Sequence, residues 1–153
     1  MRKEISIYTD GSCHPQQKIG GWAAIIQLTD TRVTLKGMVK HTTHQRMELA
    51  AALNALDYLE KNSLLDLPVV IYTDSQYLIQ IQTRCTRLVD NNYLSPQGKP
   101  IRNVDLVSRL VDYLTSSRID FFKVIAHQKK TTTENINRDA DRIARSIVRE
   151  NCK

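Results

Sequence analysis

The chain has 153 residues, of which 41% are hydrophobic, and carries a formal net charge of +6 at pH 7. This length suits a single domain over residues 1–153 with a proper apolar core. The sequence contains neither an apolar run of about 18 residues nor the core of a signal peptide. A membrane span is therefore excluded, and a cytoplasmic location is expected.

The three cysteines and the basic charge set two further bounds. Cys13, Cys85 and Cys152 are odd in number and lack the spacing of zinc ligands, so reduced thiols are expected rather than disulfides or a structural zinc site. The excess of Lys and Arg favours a polyanionic partner, although a well-solvated basic surface is an equally good explanation at this point.

Three strands are predicted at the start of the chain. Apolar and polar residues alternate over residues 5–10, with one face toward the core and Asp10 on the other face. The segment WAAIIQL follows a Gly-Gly pair, and residues 31–40 alternate again. The second and third strands are therefore expected to be antiparallel neighbours.

A long helix is predicted next, from about residue 43 to 61. Thr42 to Gln45 has the Thr-x-x-Gln form of a capping box, and the segment behind it is rich in helix formers with leucines on one face.

The second half alternates strands and helices. The unbroken apolar run at residues 69–72 is typical of a central strand covered on both faces. Ser75 can cap a short helix to about residue 83, after which residues 84–100 are expected to form an irregular, exposed basic loop. The remaining predictions are a helix over residues 103–114, a strand over 119–126 and a helix over 137–149. The predicted order is βββαβααβα.

The tetrapeptide Ile-Tyr-Thr-Asp occurs at residues 7–10 and again at 71–74, each time ending an apolar strand with a carboxylate. A single Asp at such a position is usually a cap or turn former. If the two strands are neighbours, however, Asp10 and Asp74 approach each other, and close carboxylates repel unless a proton or a cation lies between them.

Three acids on helices are candidates to join this pair. Glu48 lies at the edge of the leucine face and could point at the pair, or it could merely favour the positive end of its helix. Asp139 and Asp141 flank the apolar face of the last helix symmetrically, so periodicity does not choose between them. Carboxylates without clustered Cys or His suit Mg²⁺ or Mn²⁺ better than zinc, and a paired divalent site suits phosphodiester hydrolysis.

Five motifs occur in the order found in one family: TDGSC, TTHQRMELAAALNAL, TDSQYL, GKPIRNVDL and NRDADRIA. Over essentially its whole length the chain resembles type 1 ribonuclease H. The resemblance implies a three-layer α/β fold with a five-stranded mixed sheet, strand 2 antiparallel, and helices on both faces. It also implies endonucleolytic hydrolysis of the RNA strand of RNA/DNA hybrids, leaving a 5′-phosphate and a 3′-hydroxyl. Two Mg²⁺ ions bound together with the substrate are implied, with Mn²⁺ as a possible substitute, and a monomer is expected.

The same resemblance assigns site residues. Asp10, Glu48, Asp74 and Asp141 would be the catalytic metal ligands, because the pattern Ala-Asp-x-(Leu/Ile)-Ala selects Asp141 over Asp139. His127 would transfer a proton or promote product release. Contacts with the hybrid would come from Gly11, Ser12, Cys13, Thr43, His44, Gln45 and Gln76.

Several segments depart from the family pattern. Gln16 and the pair His44-Gln45 stand where Asn is common, and Gln45 is expected to serve mainly as the capping-box partner of Thr42. The loop HQKKTTTENIN is longer than usual and lacks Gly, and the basic loop has no Trp. Two rivals remain: a hybrid-binding module without activity, which should lack an acid, and a nuclease of the wider superfamily such as a transposase or integrase core.

Overall fold

A computed structural model of the chain describes residues 4–124 and 132–153, with only the backbone of residues 132–134. The described residues form ten elements in chain order: β1 Ile5–Cys13, β2 Gly20–Gln27, β3 Arg32–Val39, α1 His44–Lys61, β4 Val69–Thr73, α2 Gln76–Thr83, α3 Cys85–Asp90, α4 Val104–Ser116, β5 Ile119–Lys123 and α5 Thr132–Asn151. Apart from α3, these are the predicted elements in the predicted order. No helix of this described part is long and apolar enough to cross a membrane.

The strands form one mixed sheet in the order β3-β2-β1-β4-β5. Strand β2 is antiparallel to both of its neighbours, whereas β1, β4 and β5 run parallel to one another. The predicted five-stranded sheet with strand 2 antiparallel is therefore confirmed. Tyr8 is the register partner of Tyr72, so Asp10 and Asp74 follow at equivalent positions of adjacent strands.

Both faces of the sheet are covered by helices, which confirms the three-layer expectation. One core cluster joins Ile5 and Ile7 of β1 to apolar residues of α1, α2 and α4. A second cluster joins Tyr8 of β1 to Ala140 and Ala144 of α5. The expectation that β1 buries only one face is wrong, because α5 packs on the other face and leaves Tyr8 6% exposed.

The start of α1 differs from the predicted capping box. Thr43 is the N-cap, and its hydroxyl accepts a hydrogen bond from the amide of Arg46 at 3.2 Å. Thr42 is buried, because its amide donates to the carbonyl of Lys18 and its methyl group lies where a side chain at Gly20 would be. Thr42 therefore does not cap the helix, and the prediction that Gln45 is its capping-box partner is wrong.

The segment predicted as an irregular loop contains the short helix α3. Leu88 is 8% exposed and packs in the same core cluster as apolar residues of α4. Because packing stabilises short helices, the burial of Leu88 favours a helix over residues 85–90. At the other end of the chain, α5 begins five residues before the predicted start at residue 137. The last two residues of the predicted fifth strand, 125 and 126, lie outside the described residues.

Candidate active site

Asp10 and Asp74 lie side by side where two parallel strands end. Asp10 is in β1, is 4% exposed, and accepts a hydrogen bond from the amide of Gly11 at 2.9 Å. Asp74 directly follows β4 and is exposed. The parallel register of β1 and β4 thus brings one buried and one exposed carboxylate to the same edge of the sheet.

Glu48 joins this pair from the first turns of α1, and Gly11 allows its approach. A Cβ atom on Gly11 would lie 2.6 Å from the backbone nitrogen of Glu48 and 2.6 Å from the carbonyl carbon of Met47. Real Cβ atoms are not found at such distances from backbone atoms, so any side chain here would push α1 away from β1. The glycine therefore determines how close Glu48 comes to Asp10.

The three carboxylates form a potential metal-binding cluster. One oxygen atom from each of Asp10, Glu48 and Asp74 lies within 4.8 Å of the others. Both oxygens of Glu48 are buried without a partner that meets hydrogen-bond geometry; the nearby Gly11 amide slightly lowers the pKa of Glu48 but donates its hydrogen bond to Asp10. His44 brings its Nε2 within 3.3 Å of Glu48 Oε1, but without the geometry of a hydrogen bond. Because buried oxygens are almost always partnered, this arrangement suits a divalent cation.

The electrostatics of the metal-free cluster are unfavourable. Burial raises the pKa of Asp10 to about 10, and a hydrogen bond that protonated Asp10 donates to Asp141 and the charges of Glu48 and Asp74 act in the same direction. Burial also raises the pKa of Glu48 to about 8, with a further contribution from the charge of Asp74. A bound cation would reverse these shifts, because it favours the charged form of each carboxyl group.

The structure distinguishes Asp141 from Asp139 on α5. Asp141 shares a side-chain hydrogen bond with Asp10, while its Oδ1 accepts from Arg145 Nε at 3.0 Å. Asp139 instead forms an ion pair with Arg142, at 3.4 Å. Asp141 thus adjoins the carboxylate cluster, although it is not one of the three residues whose oxygens lie within 4.8 Å of one another.

The residues predicted to contact the hybrid near β1 and α1 lie around this cluster. Ser12 and Cys13 are half-buried at the end of β1, and Cys13 Sγ lies 3.6 Å from the carbonyl of Thr42. Thr43 and His44 are exposed. The hydroxyl of Thr43 already accepts the Arg46 amide, and it keeps its own proton to donate.

Gln45 and Gln76 have partners that the sequence did not reveal. Gln45 Oε1 accepts from Asn103 Nδ2 at 3.3 Å, and Asn103 also donates to the hydroxyl of Tyr77 at 3.0 Å. Gln76 Oε1 accepts from Lys123 Nζ at 2.9 Å. Both contacts join residues distant in sequence, so no local pattern could have identified them. The predicted site residue His127 lies outside the described residues.

This chain is similar to known proteins over nearly its whole length. The profile of the RNase H family matches residues 2–149. A Ribonuclease H from Caldicellulosiruptor saccharolyticus is 34% identical over 150 residues, which cover 97% of this chain and 98% of that protein.

Two solved structures show the same fold. LC9-RNase H1, named as a type 1 RNase H with the type 2 active-site motif, has a TM-score of 0.82 at 19% identity, covering 99% of this chain and 75% of that chain. LC11-RNase H1, solved in complex with an RNA/DNA hybrid, has a TM-score of 0.68 at 17% identity, covering 95% and 97%. With a family profile that matches nearly all its residues and a relative aligned from end to end, the chain belongs to the ribonuclease H family of metal-dependent ribonucleases.

Proposed function

We propose that this chain is an endoribonuclease that hydrolyses the RNA strand of RNA/DNA hybrids and leaves a 5′-phosphate and a 3′-hydroxyl. Its metal ligands would be Asp10, Glu48, Asp74 and Asp141, acting in one domain over residues 1–153 as a monomer. The family membership supports the reaction, and the complex of LC11-RNase H1 with an RNA/DNA hybrid supports the substrate.

The observation that carries the proposal is the buried carboxyl group of Glu48. Its two oxygens have no hydrogen-bond partner and lie beside two other carboxylates. The ionised form of such a group is strongly unfavourable unless a cation occupies the site, since burial and like charges both oppose its ionisation. Oxygen-only ligands favour Mg²⁺, with Mn²⁺ as a substitute.

The protein residues have separable roles in this reaction. Two divalent cations, when bound, would activate the attacking water and stabilise the leaving oxygen. Asp10 is held by the Gly11 amide and Glu48 by the packing of α1 on β1, so both ligands are preorganised. Asp74 is exposed and faces the solvent from which the substrate arrives.

The proposed substrate contacts surround the acids. Gly11, Ser12, Cys13, Thr43 and His44 lie at the end of β1 and the start of α1. Thr43 is exposed, and its hydroxyl could donate a hydrogen bond to a phosphate. Gln76 is also exposed, and its side-chain amide could contact the minor groove, where 2′-hydroxyls distinguish RNA from DNA. Gln45 contributes through its hydrogen bond to Asn103, and His127 remains the proposed residue for proton transfer or product release.

The test is cleavage of strand-labelled RNA/DNA hybrid, double-stranded RNA and double-stranded DNA, each with Mg²⁺, Mn²⁺ or chelator. We expect metal-dependent loss of only the RNA strand of the hybrid, and end-labelling should show a 5′-phosphate and a 3′-hydroxyl. Cleavage of double-stranded DNA, or an intact hybrid with every metal, would contradict the proposal.

A matched pair of variants tests the assignment of the fourth carboxylate. Asp141→Asn should lower kcat by at least about 100-fold, because it changes a proposed ligand beside Asp10. Asp139→Asn should keep kcat within a few-fold of the original, since Asp139 pairs only with Arg142 among the described residues. Equal losses in both variants would contradict this assignment.

A further inference from the structure

Lys123 is placed at the active-site edge of the sheet by its backbone. It is the last residue of β5 and the register partner of Thr73, the residue directly before Asp74. The amide of Val124 donates to the carbonyl of Thr73 at 2.7 Å, so the two strand ends are joined by a short hydrogen bond. The backbone of Lys123 is therefore fixed opposite the residue that directly precedes Asp74, a proposed metal ligand.

The side chain of Lys123 is directed by Gln76. Its Nζ donates to Gln76 Oε1 at 2.9 Å, and Gln76 is the first residue of α2. The start of α2 is itself anchored, because Ser75 Oγ accepts the amide of Leu78 at 3.3 Å. The ammonium group is therefore held by a neutral amide on a capped helix, two residues after Asp74 in the sequence.

Two arginines on the helices that carry Glu48 and Asp141 are neutralised by carboxylates, whereas Lys123 is not. Arg46 pairs with Asp105 and Arg145 pairs with Asp141. Within the part of the chain that the structure describes, Lys123 forms no ion pair. An ammonium group has three donors, and Gln76 accepts only one of them, so two donors and the full charge are available to a ligand.

We propose that Lys123 binds a backbone phosphate of the hybrid next to the nucleotides contacted at Gln76. The inference rests on the proposed function, because it takes a nucleic acid as the ligand. A lysine acts as a compact point charge, which suits a phosphate better than the edge of a base. Lys123 thus adds to affinity and fixes the register of the strand beside Asp74, without taking part in the chemical step.

The measurement is the salt dependence of hybrid binding, made by fluorescence anisotropy in an Asp10→Asn background with Mg²⁺, so that the substrate stays intact. Lys123→Met removes the charge and keeps most of the stem, whereas Lys123→Arg keeps the charge. The matched control is Lys61→Met, an exposed lysine at the far end of α1, about 20 Å along the helix from Glu48.

Loss of one phosphate contact should make the negative slope of log K against log salt less steep by about 0.9. The affinity ratio between parent and Lys123→Met should therefore be about 3.5 times larger at 50 mM than at 200 mM salt. Lys123→Arg should restore the parental slope, and Lys61→Met should not change it. In the protein with Asp10 intact, Lys123→Met should raise KM several-fold and leave kcat unchanged.

The outcomes separate this inference from the proposed function. A parent that fails to bind the hybrid contradicts the proposed function itself. A parent that binds, with the same slope in Lys123→Met, overturns only the role of Lys123. Weaker binding without a change in slope also overturns it, because it would mean that Lys123 merely orients Gln76. A Gln76→Ala variant that keeps the parental slope while losing affinity supports the assignment of the charge to Lys123.

Discussion

Replacement of Glu48 by Gln tests the electrostatics of the carboxylate cluster apart from catalysis. Gln has nearly the same shape but no charge, and Glu48 is 1% exposed, so solvent screens the difference little. We expect Glu48→Gln to be inactive, yet more stable than the original protein when metal is removed at neutral pH. The reason is that the original protein must either bury a charge beside two carboxylates or hold a proton there.

The size of the effect follows from the pKa of Glu48, which is raised from 4.5 to about 8 in the folded state, mainly by burial. Between these two pH values the folded protein holds a proton that the unfolded chain has released, so the free energy of unfolding falls as the pH rises. At pH 7 the accumulated loss is about 3 kcal/mol, from about 2.5 pH units at 1.36 kcal/mol each. Glu48→Gln avoids this loss, and any cost of its buried amide is independent of pH.

The assay is urea unfolding in chelator at pH 4, 5.5 and 7, followed by circular dichroism. The free energy of Glu48→Gln minus that of the original protein should rise by about 3 kcal/mol from pH 4 to pH 7. Glu60→Gln, an exposed acid on the same helix, is the control and should give a difference independent of pH. The reasoning is refuted if the Glu48→Gln difference is equally flat.

Three further predictions concern the residues that hold the site in place. Gly11→Ala should lower stability by about 2 kcal/mol or more, because the added Cβ would meet the backbone of α1 at 2.6 Å; thermal unfolding would show an unchanged Tm if this contact were absent. Thr43→Ala should cost about 1 kcal/mol through loss of the N-cap, and Thr43→Ser should restore it in urea titrations. The ion pair of Arg46 and Asp105 is accessible to solvent and should contribute less than about 1 kcal/mol to the free energy of unfolding. Arg46→Met should therefore hardly change that free energy in 0.5 M salt. Asp105 has its pKa lowered to about 2 by its hydrogen bond with Arg46, so this contribution should be present above pH 3.8 and lost as the pH falls through about 2.

The order of elements was predictable because it depends on local patterns, whereas the five-stranded mixed sheet was implied by the family resemblance. The apolar run of β4 and the leucine face of α1 each reflect which side of one element is covered, whereas the alternation in β1 did not reveal that α5 covers its second face. The repeated Ile-Tyr-Thr-Asp pointed to neighbouring strands, and the parallel register of Tyr8 with Tyr72 agrees with it. The family motifs likewise directed attention to the four carboxylates.

The tertiary structure decided what depends on contacts between residues distant in sequence. Thr43 caps α1 because Thr42 is buried against β2, which the shared Thr-Thr sequence does not reveal. Asp139 and Asp141 are equivalent by helical periodicity, and the packing of α5 places Asp141 beside Asp10. The hydrogen bond between Lys123 and Gln76 joins a strand end to a helix start 47 residues away. Local preferences determine how each element forms, but the neighbours of a side chain are determined by how the elements pack.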